Sequence, residues 1–239
     1  MMKKTAVLLL LLNLPIFANT SGCQLNDTTN FKASYTFQTP QGENQLNYYR
    51  APKQSAFEYK AQGVTEVWHK TANDKAYLIR GFDADKRSIE YEVIDLKMEN
   101  QNSAWQKKKN IMNPESFDFD KVVIEEKAGC KLAHYAKSDD DREITMVWNQ
   151  SKDILVDLEV KQKGKVAYHY ALSKIETLDK SNNHLAEVLA YDRTDFADIG
   201  DNESDPFFRK MINLGFVSHH EVNIINAKGQ QVEAEAHHH

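Results

Sequence analysis

Apolar and polar side chains alternate along most of the chain between residues 31 and 175. Ala33, Tyr35 and Phe37, for example, are separated by single polar residues. A period of two residues is typical of strands that bury one face and leave the other in water. Because turn residues recur at intervals of roughly eight to twelve positions, the pattern predicts about eleven short strands in an antiparallel meander.

Few helices are available to cover the apolar face of such a sheet. Residues 96–119 interrupt the alternation, with Trp105 and Pro114 on either side of a lysine-rich stretch, and they predict a connector with a short helix near residues 104–112. A one-sided sheet must bury its apolar face, and with few helices it does so by curling. The predicted fold is therefore mainly β: a curled antiparallel sheet, or half-barrel, with few short helices, spanning residues 19–190.

The first residues have the layout of a bacterial secretory signal. Two lysines precede an almost purely aliphatic run, and small and polar residues follow. Cleavage after Ala18 would remove residues 1–18 and leave a periplasmic protein. The alternative is a lipoprotein signal, residues 1–22, because the four residues that end at Cys23 resemble a lipobox. The protein would then be anchored in the outer membrane through lipid on Cys23.

The chain contains two cysteines, Cys23 and Cys130. If the signal is removed after Ala18, both thiols reach an oxidising compartment, where such a pair forms a disulfide. We expect that bond, which would close a loop of about one hundred residues and contribute up to about 4–5 kcal/mol in the chain-entropy model. If lipid is attached to Cys23 instead, Cys130 is left without a partner.

The last part of the chain, residues 191–239, differs in composition from the predicted sheet. Residues 192–205 are dense in aspartate and glutamate. Asp205-Pro206 is typical of a helix N-cap followed by proline at the first helical position. The sequence therefore predicts an acidic loop, a short helix over residues 207–214 and a polar C-terminal tail.

The acidic loop contains the side chains most suited to a cation. Asp201, Glu203 and Asp205 are spaced by two residues, like the first ligands of a calcium loop. Asp198 and His219 are further candidates for a metal site. Two alternatives stay open: a solvated loop with a helix cap, or a surface over residues 192–208 that binds a basic partner in the cell envelope.

Composition and charge exclude several classes of function. The net charge of -5 and the isoelectric point near 6.0 provide no basic field for nucleic acid. Beyond the signal, no apolar run approaches the ~20 residues of a membrane span. The chain contains none of the short nucleophile, zinc, redox or nucleotide-binding motifs. We therefore expect a non-catalytic protein that spans no membrane and uses no cofactor.

Four stretches of the predicted strands carry a family resemblance: Phe31-Lys32-Ala33-Ser34-Tyr35-Thr36, Tyr48-Tyr49-Arg50-Ala51-Pro52, Phe57-Glu58-Tyr59 and Ala76-Tyr77-Leu78-Ile79. They resemble strands of the LolA family, the periplasmic carriers of outer-membrane lipoproteins. The resemblance implies a half-barrel whose apolar concavity is covered by a helical lid and holds the acyl chains of a lipid or lipoprotein. It also implies that Arg50 bonds to the lid and helps to control its opening.

Aromatic residues on the predicted strands are candidates to line such a cavity. Together with Arg50, the ligand-binding candidates are Tyr35, Phe37, Tyr48, Phe57 and Trp68. Aromatic strand residues also form ordinary packed cores, which is the alternative. The sequence thus predicts an exported, non-catalytic protein that binds a lipid or lipidated protein in an apolar half-barrel cavity. The alternative function is an envelope scaffold or regulatory protein that binds a partner or metal ion through the acidic loop.

Overall fold

Twelve strands form one continuous sheet that curls without closing. The computed structural model of the protein describes residues 22–127, 129–179, 184–202, 204–214 and 216. The strands are β1 (Phe31–Thr39), β2 (Gly42–Ala51), β3 (Gln54–Tyr59), β4 (Val64–Lys70), β5 (Ala76–Phe82), β6 (Arg87–Tyr91), β7 (Lys121–Lys127), β8 (Cys130–Ser138), β9 (Arg142–Asn149), β10 (Ile154–Gln162), β11 (Lys165–Thr177) and β12 (Asp192–Asp195). This architecture confirms the prediction of a mainly β fold with a curled, largely antiparallel sheet.

Two antiparallel meanders make up most of the sheet, one of β1 to β6 and one of β7 to β11. They join where β1 pairs with β11 in antiparallel orientation. The strand order is β12-β6-β5-β4-β3-β2-β1-β11-β10-β9-β8-β7, so β12 and β7 lie at the two edges. Because the sheet does not close on itself, other elements must cover its apolar concave face.

The segment that we expected to be an acidic loop begins with the twelfth strand. Asp192–Asp195 pairs in parallel with β6. Arg193 donates a hydrogen bond to Glu90 at 3.0 Å, and Arg87 lies 3.7 Å from the carboxylate of Asp192. Because backbone pairing and ion pairs hold this strand, its sequence does not show the alternation of apolar residues by which the other strands were predicted.

The described part of the chain contains four short α-helices: α1 (Val93–Met98), α2 (Trp105–Lys108), α3 (His184–Val188) and α4 (Pro206–Asn213). None of these described helices has the length and apolar character needed to cross a membrane. The helix expected near residues 104–112 is shorter than predicted, because the chain turns after α2 so that Asn110 reaches the sheet. α4 begins as predicted: the Asp205 carboxylate accepts a hydrogen bond from the Phe207 N–H at 2.8 Å.

The concave face of the sheet carries the main core. Cross-strand pairing places Tyr48, Phe57, Glu66 and Arg80 in one row on this face. α1, α4 and the connector (residues 99–120) lie over the face, and Leu96, Phe208 and Trp105 of these three segments belong to the same buried cluster. The concave face is therefore covered by segments of the same chain.

The convex face is covered in part by α3. Leu185 and Val188 of this helix pack against Tyr49 and Ile79 of the sheet. Gly81 in β5 permits the close approach, because a Cβ atom at this position would lie 2.4 Å from a methyl carbon of Val188. The second core cluster thus depends on the absence of a side chain at one strand position.

A disulfide joins Cys23 to Cys130, whose Cα atoms are 5.8 Å apart. It fastens the N-terminal segment to β8 beside Leu132 and Val156. The predicted bond is confirmed, so the Cys23 sulfur is engaged in it and is not free to receive lipid. Disulfides persist in oxidising compartments, which indicates an extracytoplasmic protein. The signal itself, residues 1–18, lies outside the described residues.

Replacing Gly81 with Ala should destabilise the fold. The new methyl group would overlap Val188, and overpacking of this kind costs about 1–3 kcal/mol. We expect Gly81→Ala to lower the urea unfolding midpoint, whereas in a Val188→Ala background the same change should cost much less. Gly200→Ala is the control, since a Cβ there meets no described atom within 4 Å. An unchanged midpoint for Gly81→Ala would contradict the packing of α3.

Candidate functional site

Arg50 lies near the end of β2 on the concave face, buried between aromatic rings. The carbon of its guanidinium group is 4.9 Å from the ring centre of Phe31 and 5.6 Å from that of Tyr48. Its Nε donates a hydrogen bond to the Tyr48 hydroxyl at 2.9 Å. A cation that is stacked on aromatic faces and removed from water needs acceptors for its remaining N–H groups.

Those acceptors come from three separate parts of the chain. Nη2 of Arg50 donates to the side-chain carbonyl of Asn110 in the connector. It also donates at 2.7 Å to the backbone carbonyl of Asp153 in the turn between β9 and β10. Nη1 reaches the carbonyls of Thr28 and Lys152 at 3.4 and 3.3 Å. Arg50 thus ties the N-terminal segment, the connector and the second meander to the first meander.

Two further side chains of the sheet hold the connector through its backbone. The Tyr48 hydroxyl donates to the carbonyl of Lys109 at 2.7 Å, and the Ser55 hydroxyl donates to the carbonyl of Lys108 at 2.7 Å. Burial raises the pKa of Tyr48 to about 12, so its phenol stays protonated and able to donate at neutral pH. Five residues together form the latch: Arg50, Tyr48, Ser55 and Asn110 through their side chains, and Asp153 through its backbone carbonyl.

The latch holds the connector as a cover over the concave face. Trp105 of the connector is buried in the main core, and the connector residues Ile111, Met112, Phe117 and Phe119 pack against that core. The outer surface above the latch is polar: a groove of 420 Å³ there is lined mainly by polar side chains of the connector and of the turn between β9 and β10. An apolar ligand would therefore bind beneath the connector rather than on it.

The aromatic residues expected to line a cavity lie in the core beneath this cover. Four of them are at least nine-tenths buried: Tyr35, Tyr48, Phe57 and Trp68. Phe37 is partly exposed and stacks on Tyr170 with 4.3 Å between the ring centres. The four buried residues are thus packed side chains, and they would border a ligand only after the connector had moved. The apolar side chains of the connector take up space that the sequence analysis assigned to a ligand.

A second group of side chains lies around Lys108, on the concave side of the sheet. The surrounding protein raises the pKa of Tyr59 well above its ordinary value. Nζ of Lys108 lies 4.0 Å from the ring centre of Trp68, and burial lowers its pKa. Both groups interact electrostatically with Glu66 and Arg80. These five residues, Tyr59, Glu66, Trp68, Arg80 and Lys108, form the Lys108 cluster.

Charge in the Lys108 cluster is not balanced. Nη2 and Nε of Arg80 donate to one oxygen of Glu66 at 2.8 and 3.2 Å, so these two groups compensate each other. The ammonium group of Lys108 lies over Trp68 instead, and it forms no ion pair with any of the described residues. A partly desolvated cation without a counter-ion favours the approach of an anionic group.

Arg80 also holds the end of the described chain. Its Nη1 donates to the backbone carbonyl of Phe216 at 3.3 Å, and the Tyr91 hydroxyl donates to the same carbonyl at 3.2 Å. The sequence analysis missed both Arg80 and Lys108. Neither stands in a motif, but Arg80 replaces an apolar residue on the inward side of the alternation in β5, which is the one signal that could have identified it.

The acidic residues proposed as metal ligands have different surroundings. Asp205 caps α4 and accepts a hydrogen bond from Nη1 of Arg87 at 2.6 Å, and this bond lowers its pKa. Asp198 is exposed at the end of a 3-10 turn. Three candidates lie outside the description: the side chain of Asp201, Glu203 and His219. Among the residues that are described, no three His, Cys, Asp or Glu side chains come together as a metal site would require.

Comparisons with known proteins identify no family. No protein-family model and no curated protein match the chain. Among solved structures, PNGF-II has a TM-score of 0.42 at 6% identity, covering 72% of this chain and 32% of that chain. The Pseudomonas aeruginosa MucA/MucB complex has a TM-score of 0.40 at 9% identity, covering 72% and 59%. A DUF1329 family protein from Desulfovibrio piger has a TM-score of 0.32 at 8% identity, covering 71% and 96%.

The chain therefore spans about a third of the PNGF-II chain and 59% of the chain matched in the MucA/MucB complex. TM-scores below 0.5 carry no argument about what the protein does. The architecture agrees with the resemblance to the LolA family, because the sheet is curled and unclosed and its concave face is covered. A more specific function must be inferred from the site itself.

Replacing Arg50 with Met should release the connector while the rest of the sheet stays folded. Hydrogen bonds from a charged donor contribute about 1.5–3 kcal/mol each, although the freed acceptors will be partly rehydrated. We expect faster amide hydrogen exchange at residues 105–112 than in β4 or β5, and a lower unfolding midpoint. Arg209→Met, on the exposed side of α4, is the control. Equal protection of the connector in Arg50→Met and the wild type would contradict the role of the latch.

Proposed function

We propose that the protein binds the apolar chain of a lipid or a lipidated protein on the concave face of its sheet, outside the cytoplasm and without catalysis. The observation that carries the proposal is the latch. An aromatic-rich surface is covered by a connector whose hold on the sheet includes polar bonds to Asn110 and to the backbone of Lys108 and Lys109. Such bonds can be exchanged for water at modest net cost, whereas the apolar surface beneath must be covered again.

An acyl chain meets this requirement because it needs no directional partner. It would replace the connector side chains Trp105, Phe117 and Phe119 against the floor that Tyr35 and Phe57 form. Burial of a chain contributes about 0.8 kcal/mol per methylene group. A lipid chain of ordinary length can therefore compensate for the contacts that the connector loses when it lifts.

Lys108 adds a preference for amphiphiles that carry an anionic group. Its ammonium lies over Trp68 in the Lys108 cluster, where Glu66 is already paired with Arg80. A carboxylate, sulfate or phosphate would supply the missing counter-ion. Because Lys108 belongs to α2, the cation moves with the connector. Binding of the charged group and the position of the cover are thereby coupled.

The wild-type protein should bind hexadecyl sulfate more tightly than hexadecanol. Lys108→Met should reduce this preference by roughly tenfold, which is what loss of one charge-assisted contact is worth. Lys107→Met is the matched control, since the neighbouring Lys107 is exposed and should leave the preference unchanged. Isothermal titration calorimetry below the micellar concentration provides the measurement.

Failure of the wild type and of Arg50→Met to take up either compound would contradict the proposed function. Uptake of both compounds with equal affinity would leave acyl-chain binding supported but would exclude the role of Lys108. Native mass spectrometry of the protein isolated from its own envelope gives an independent reading, because a co-purifying amphiphile is expected there.

Binding of hexadecyl sulfate should weaken at alkaline pH. The pKa of Lys108 is lowered by burial, so its ammonium loses the proton at a lower pH than an exposed lysine does. The sulfate charge is constant over this range, and affinity should therefore fall as pH rises through the lowered pKa. The fall should be absent for hexadecanol and for Lys108→Met. An equal fall in Lys108→Met would assign the titration to another group.

A further inference from the structure

The edge strand β7 exposes three consecutive aliphatic residues. Val122, Val123 and Ile124 are 50%, 49% and 48% exposed. Within the part of the chain that the structure describes, no strand pairs with the outer side of β7. Native edge strands usually carry charges, prolines or bulges that prevent further pairing. The centre of β7 has none of these, and its pairing with β8 is regular.

We propose that β7 pairs with β7 of a second copy of the chain, in antiparallel orientation and centred on Val123. In this register Val122 lies opposite Ile124 of the second copy, and Lys121 lies opposite Glu125 of the second copy. The two-fold axis repeats both pairs. Residues 121–125 are therefore complementary to themselves, apolar at the centre and oppositely charged at Lys121 and Glu125. This self-complementarity favours a second copy of the chain as the occupant.

The register agrees with the geometry of a two-fold axis perpendicular to the sheet. Such an axis keeps both concave faces on the same side, so residues that face each other must point to the same face of the sheet. Val122 and Ile124 lie opposite Tyr135 and Ala133 of β8, and Tyr135 packs against the main core. The contact between Val122 and Ile124 would thus extend the concave apolar surface across the axis.

Registers shifted by two residues leave each side chain on the same face of the sheet, but they are less favourable. A shift by two residues in one direction places Lys121 opposite a valine, and in the other it places Val122 and Val123 opposite Glu126 and Glu125. In the proposed register Asp120 faces Glu126 just outside the central segment. Glu126 is already paired with Lys131 at 3.6 Å, which limits that repulsion.

Charge reversal tests this register and does not depend on lipid binding. Lys121 and Glu125 are exposed, so Lys121→Glu and Glu125→Lys should leave the monomer folded, as circular dichroism and thermal melting can verify. Each single variant places like charges opposite each other at two symmetric positions and should weaken self-association by roughly tenfold. An equimolar mixture of the two variants restores opposite charges at both positions. It should associate as strongly as the wild type.

Sedimentation equilibrium of the full exported chain, from low micromolar to several hundred micromolar, provides the readout. We expect the wild-type mass to rise toward twice that of the monomer, together with slower amide exchange in β7. A wild type that stays monomeric over the whole range would overturn the proposal. So would association that both single variants leave unchanged, or a mixture that associates no better than its components.

Discussion

The constraint on which this structure depends is that an unclosed sheet with one apolar face must be covered by its own chain. Arg50 is the point where that cover is fixed. Its guanidinium is stacked on Phe31 and Tyr48, away from water, and its Nη2 group finds its acceptors only when Asn110 and Asp153 are in place. Desolvation of Arg50 and placement of the connector are therefore a single event, because either one without the other would leave a buried cation with unpaired donors.

Arg80 solves the same problem at the other end of the concave face, but with different chemistry. It also packs on an aromatic ring, that of Tyr91, and it also holds a covering segment through a backbone carbonyl, that of Phe216. Its main partner, however, is the carboxylate of Glu66. Glu66 and Arg80 stand on neighbouring strands, so this ion pair stays within the sheet whether or not a covering segment lifts. Both covering segments are held by ion pairs of their own as well as by neutral hydrogen bonds: Asp205 at the start of α4 pairs with Arg87, and Lys109 of the connector pairs with Asp153.

Features encoded by neighbouring residues could be predicted from the sequence, and features created by distant contacts could not. The alternation in β1 and the cap at Asp205 are local, and the compartment implied by the signal made the pairing of Cys23 with Cys130 predictable. The strand at Asp192–Asp195 is held by pairing with β6, more than one hundred residues away in the chain, so its own composition indicated a loop. The alternation predicts that the aromatic residues face inward. Whether Phe57 borders a ligand or the connector depends on where the connector lies over the sheet, which the alternation does not encode. The inward position of Lys108 likewise follows from the fold of the connector and not from its lysine-rich sequence.

The two edge strands of the sheet differ in length and charge, and this difference bears on which of them can pair with a further strand. β12 has four residues, two of them aspartates, and it forms ion pairs with β6: Arg87 pairs with Asp192, and Arg193 of β12 pairs with Glu90. A short, charged edge of this kind resists further pairing. β7 has seven residues, and its only charges stand at its ends, leaving Val122, Val123 and Ile124 exposed between them. A single lysine at Val123 would protect this edge without disturbing the main core, since Val123 is 49% exposed and does not belong to that cluster. The chain carries valine there instead, so the edge is open to a strand. The change from Lys121 to Glu125 across the apolar centre favours a strand that runs in the opposite direction with the same sequence.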